Sequence, residues 1–111
     1  MTITLGTVTL TAYMIPGHSL CGMAVYGIID EKKCIFTGDS VFAHGQVLIQ
    51  PLYDVSLHPY ASAMKKLAEL EVDAFFPGHG VFVLEHGEDH IRRASDKFQS
   101  GLIPPQLYYF A

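Results

Sequence analysis

Three residues able to bind a metal ion recur in one setting: His18, Asp39 and His79, each directly behind a glycine. Their contexts are Ile15-Pro16-Gly17-His18-Ser19, Phe36-Thr37-Gly38-Asp39-Ser40 and Phe76-Pro77-Gly78-His79-Gly80, with the central residues twenty-one and forty positions apart. Imidazole nitrogen and carboxylate oxygen are suitable donors for zinc, iron or manganese. The glycine before each lets the backbone turn or approach a neighbour where a side chain would block it. Taken singly, a histidine after a glycine is more often a loop residue with a satisfied hydrogen bond than a ligand. The repetition carries the inference, because a metal site needs donors arriving from separate segments.

Strand ends that open into loops at one edge of a sheet can deliver such donors. The sequence predicts strands over Thr2 to Leu5 and over Val8 to Met14, where Val8, Leu10 and Ala12 alternate with Thr7, Thr9 and Thr11. Further strands are expected from Met23 to Ile29 and, briefly, from Cys34 to Phe36, with Asp30-Glu31-Lys32-Lys33 as the polar turn between them. A helix starting near Pro59 and ending near Val72 places Ala61, Met64, Leu67 and Ala68 on one face. Val72 to Phe76 reads as a short strand that stops at Pro77-Gly78. A second helix follows with Ile91, Ala94, Phe98 and Leu102 inward, halted by Gly101 and Pro104-Pro105. The expected fold is α/β (α+β): a mixed or mainly antiparallel sheet covered by helices on one face. The tail Leu107-Tyr108-Tyr109-Phe110 is apolar enough that packing is expected for it.

In their order and spacing, the three segments resemble the last three metal motifs of the metallo-β-lactamase superfamily, whose usual forms are TPGHS or TPGHT, TGDT or TGDS, and PGHG. The resemblance runs from the strand at Val8 to the helix ending at Gly101. It implies that His18 binds a first metal, His79 a second, and Asp39 bridges both while orienting the attacking hydroxide. It further implies two zinc ions in the complete fold, with iron or manganese as alternatives, and a bridging hydroxide that cleaves an ester, thioester or related bond in a small-molecule substrate. The spacing is closer to the glyoxalase II and general hydrolase branches than to the lactam-cleaving enzymes, which commonly carry cysteine at the bridging position. His44, five residues past Asp39, lies in a loop that is near substrate in relatives; with Ser19 and Ser40 it is a candidate for contacting substrate or supporting a ligand. A plain surface histidine is the alternative for His44.

The same resemblance marks what is missing. The family's HxHxDH motif occurs nowhere in the sequence, so residues 1–111 are expected to form the second, carboxy-terminal half of the family's αβ/βα sandwich. Ile15 and Met14 replace the usual threonine and a frequent histidine without removing a ligand. His86-Gly87-Glu88-Asp89-His90 does not match HExxH, and a solvated helix face is the expectation there and for His58 beside Pro59. A half with three ligands for two ions should bind metal weakly and be inactive alone.

Composition agrees with an incomplete fold. Of the 111 residues, 50% are hydrophobic and only 16% charged, against about 45–50% and about 25% for an ordinary soluble domain. Surplus apolar surface would favour a homodimer or a separately encoded amino-terminal half. The net charge of −4, without a basic cluster, argues against nucleic acid. No basic leader or apolar run of about 20 residues points to secretion or a membrane, so the expectation is a cytoplasmic protein. Cys21 and Cys34 read as buried thiols. Two other functions stay open on the same fold: a non-catalytic interaction module, and an iron-dependent oxidoreductase.

Overall fold

The computed structural model describes residues 2–15, 22–47, 57–78 and 80–102. Five strands form one sheet in sequence order. They are β1 (Thr2–Leu5), β2 (Val8–Met14), β3 (Met23–Ile29), β4 (Lys32–Gly38) and β5 (Ala74–Pro77). β1 to β4 form an antiparallel meander, and β5 returns parallel to β4 after helix α1 (Leu57–Ala68). The sheet is therefore mixed, as a hairpin-linked run followed by a helical crossover requires. Helix α2 (Glu88–Gln99) follows β5.

Both helices lie on one face. Registered partners share a side of a sheet, and the series Tyr26, Ile35, Phe75 belongs to the core, where Ile35 and Phe75 are fully buried. They pack with Tyr60, Met64 and Leu67 of α1 and Ile91 and Ala94 of α2. The next series, Ala12, Val25, Phe36 and Phe76, faces the other way, as do the paired Met14 and Met23 and the paired Ile3 and Leu10. No described helix covers that side: Met14 is 57% exposed, and Met23 and Phe36 are 40% exposed each. The Phe36 and Phe76 rings stack on it at 5.1 Å.

Several boundaries depart from the sequence expectation. Lys32 and Lys33 are strand residues paired with Ile29 and Ile28; the turn is Asp30-Glu31 alone, both left-handed at φ 50 and 66. α1 begins at Leu57, before Pro59, which fits the first turn where a missing N–H costs nothing, and it ends at Ala68 rather than near Val72. Its most buried positions are Tyr60, Met64 and Leu67, while Ala61 is only half-buried. The strand expected from Val72 starts at Ala74. Leu102 is 54% exposed because α2 stops at Gln99, three residues before it. Cys34 is a buried free thiol; Cys21, Pro104-Pro105 and the Leu107 to Phe110 tail lie outside the described residues.

Candidate functional site

β2 and β4 run in the same direction because each is antiparallel to β3, and β5 is parallel to β4. The carboxyl ends of β2, β4 and β5 therefore share one edge of the sheet. Each of these three ends leads into one of the glycine-preceded motifs. At β2, Ile15 N–H donates to Gly22 O at 2.8 Å, which holds together the two described residues flanking 16–21. At β4, Asp39 is the first residue past the strand and is half-buried. At β5, Gly78 N–H donates to Gly38 O at 2.7 Å, which draws the last motif against the second.

The Gly78 contact is close enough to define a requirement. A Cβ built there would lie 2.9 Å from Asp39 Oδ1 and 3.0 Å from Gly38 O, so glycine lets the backbone before position 79 sit directly on the Asp39 carboxylate. His18, Ser19 and His79 themselves fall outside the described residues. Of the three candidate ligands, the structure thus describes Asp39 alone, together with the strand ends that precede the other two in sequence. Among the described residues no group of three or more His, Cys, Asp or Glu side chains converges on a common point.

The segment after Asp39 is tied down from several directions. Thr37 Oγ1 donates to Val41 O at 2.8 Å, Ser40 N–H donates to Thr37 O at 3.0 Å, and the Tyr60 hydroxyl donates to Ser40 O. Burial drives the Tyr60 phenol well above its ordinary value, so it remains a neutral donor. Ser40 is only 3% exposed and acts in these bonds through its backbone. His44 lies in a short 3-10 turn (Ala43–Gly45) and is placed against α2: its N–H donates to His90 Nδ1 at 2.7 Å, and Arg93 Nη1 is 3.3 Å from its Nδ1. His90 departs from the solvated helix face expected of it. Its ring lies parallel to that of Phe75, centroids 5.5 Å apart, and burial, followed by the neighbouring His44 and Arg93, lowers its pKa. His86 is exposed, before the first residue of α2. The side chain of His58 is outside the described set.

A groove at the opposite edge of the sheet, about 500 Å³, is lined by Glu31, Lys32, Asp73, Glu85, His86 and Glu88, far from the motif loops. Nearby, Lys33 pairs with Glu71 and its N–H donates to Asp73 Oδ2 at 3.0 Å, fastening the approach to β5. No helix among the described residues is long and apolar enough to cross a membrane.

The sequence is similar to curated fungal proteins. It is 31% identical over 91 residues to an atrochrysone carboxyl ACP thioesterase of Aspergillus fumigatus, covering 82% of this chain and 26% of that protein. It is 32% identical over 76 residues to thioesterase pkgB of Emericella nidulans, covering 68% of this chain and 20% of the relative. The chain therefore spans about a quarter or less of the length of these relatives. The fold is similar to that of a metallo-beta-lactamase from Pontibacter korlensis, with a TM-score of 0.67 at 19% identity over 89% of this chain and 45% of that one. A sequence profile of the metallo-beta-lactamase superfamily matches residues 1–79, and the chain belongs to that superfamily.

Proposed function

We propose that residues 1–111 are the second half of a metal-dependent hydrolase that cleaves an acyl thioester or ester, with zinc as the working metal. The observation that carries this proposal is the convergence of the β2, β4 and β5 ends, with Gly78 seated on the Asp39 carboxylate. His18 and His79 would each hold one ion by an imidazole nitrogen, and Asp39 would bridge them. The space kept open by Gly78 suits a carboxylate that must reach two ions. When bound, the ions supply Lewis acidity and lower the pKa of water. The chain's own contribution is orientation: Thr37, Tyr60 and the Gly78 backbone fix the segment from which Asp39 projects. The thioesterase names of the fungal relatives support the thioester class.

The uncovered apolar face supports an incomplete fold. A sheet side carrying Met14, Met23, Phe36 and Phe76 in contact with solvent calls for a partner. The missing amino-terminal half is the occupant proposed for the active molecule, and a second copy is proposed for the chain alone.

Elemental analysis after zinc exposure, followed by thioester turnover once the chain is fused to the amino-terminal half of the Aspergillus fumigatus thioesterase, tests the assignment. Zinc retained by the parent chain or fusion, with turnover removed by His79→Ala, is the expected result. Turnover that His79→Ala leaves untouched would overturn it.

A further inference from the structure

Helix α2 grips the Ala43–Gly45 turn by contacts that depend on the protonation of one ring. The His44 N–H can donate to His90 Nδ1 at 2.7 Å only if that nitrogen carries no proton, so His90 is neutral with its proton on Nε2. The Arg93 guanidinium has donors only, so at 3.3 Å the His44 Nδ1 is the acceptor. The two imidazoles meet edge to face at 5.5 Å and 60°, and His90 lies against Phe75 on its other side. Packing closes the same joint: a Cβ at Gly45, which has φ 73, would fall 2.7 Å from Ala94 N and 2.7 Å from Arg93 Cβ.

The turn needs such a grip. His44 adopts φ 62, a left-handed conformation that disfavours a residue with a Cβ. A hydrogen bond from its own N–H offsets that cost, and the bond links positions 46 apart in the chain.

We propose that His90 is a positioning residue that works through His44: as the neutral ring it clasps the Ala43–Gly45 turn to α2, and protonation at Nδ1 opens the clasp. The charges facing His90 are few. His44 on the turn and Arg93 on α2 oppose its protonation, Asp89 on α2 favours it, and Phe75 on β5 contributes no charge. Burial, with His44 and Arg93, outweighs Asp89, so the pKa falls below that of a free imidazole. The sign follows: the clasp is intact above the free value of about 6.5 and opens as the pH falls through the lower folded value. The turn begins four residues past Asp39 on the same tethered segment. Its bearing on Asp39 rests on the hydrolase proposal, whereas the clasp itself does not.

The test is nuclear magnetic resonance of the metal-free, ¹⁵N-labelled full chain, so failure of the hydrolase assignment leaves it interpretable. In neutral to mildly alkaline buffer the His90 ring should show an unprotonated Nδ1. On acidification the His44 amide proton should move upfield with the same midpoint as the His90 ring. His90→Ala should raise the exchange rate of the His44 amide about fivefold to tenfold, the equivalent of one lost hydrogen bond. His90→Asn, which returns an acceptor near the Nδ1 position, should restore protection and abolish the pH dependence of the amide signal. A proton found on Nδ1 at neutral pH, or a His44 amide in the parent chain that ignores the His90 titration, would overturn the proposal. So would unchanged protection in His90→Ala.

Discussion

A methyl group at Gly78 would press on two things at once, the Asp39 carboxylate at 2.9 Å and the Gly38 carbonyl at 3.0 Å. The Gly38 carbonyl is backbone and cannot yield, so Gly78→Ala should act by turning the Asp39 carboxylate out of its place. The expected outcome is a metal affinity about 10- to 100-fold weaker, the range seen when support behind a ligand is lost. Competition against a chromophoric chelator, in whichever form of the protein retains zinc, measures it; unchanged affinity would mean that Asp39 is not a ligand. The glycine-preceded motifs and their place after strand ends were legible in the sequence, and the resemblance supplied the role expected of each residue. The His44–His90 contact was not, because nothing in either local stretch reports on a neighbour 46 positions away.

Among the elements, alternation of threonine with apolar residues made β1 and β2 readable, and the spacing of Met64, Leu67, Ile91 and Ala94 did the same for the helices. The β3–β4 connection was misjudged for a physical reason. Charge density made Asp30-Glu31-Lys32-Lys33 look like a four-residue turn, yet the strands close with two left-handed residues, and Lys32 and Lys33 become strand partners of Ile29 and Ile28. Two successive positive φ values define the tight turn that matches strand twist, and glycine is preferred at its second position. Glu31→Gly should therefore stabilise the chain by about 0.5–1 kcal/mol, the left-handed cost less the added freedom of the unfolded state. Urea unfolding reads this as a raised midpoint at constant slope. A lower midpoint would show that some contact of the Glu31 side chain outweighs the backbone relief.

At the scale of the whole molecule, the two faces of one sheet have had different histories of burial. One is closed by α1 and α2 around Ile35 and Phe75; the other presents Ile3, Met14, Met23, Phe36 and, beside Phe76, the 59% exposed Phe82. At about 25 cal/mol for each Å² of apolar area removed from water, covering such a face outweighs most surface interactions. The solved structure from Pontibacter korlensis has more than half of its length outside the matched region, room for a second layer of comparable size. The chain alone should then bind an apolar dye and sediment above its monomer mass at micromolar concentrations. Leu5→Lys with Met23→Lys should suppress both, because these side chains are 63% and 40% exposed and carry little of the core. Far-ultraviolet circular dichroism should be unchanged in the double variant, separating loss of association from loss of fold. A parent chain that is monomeric and silent to the dye would mean that residues outside the described set already cover the face. Association that survives both lysines would move the contact to another surface, with the exposed edge of β1 the first to examine, since Thr2–Leu5 carries neither charge nor proline to discourage strand pairing.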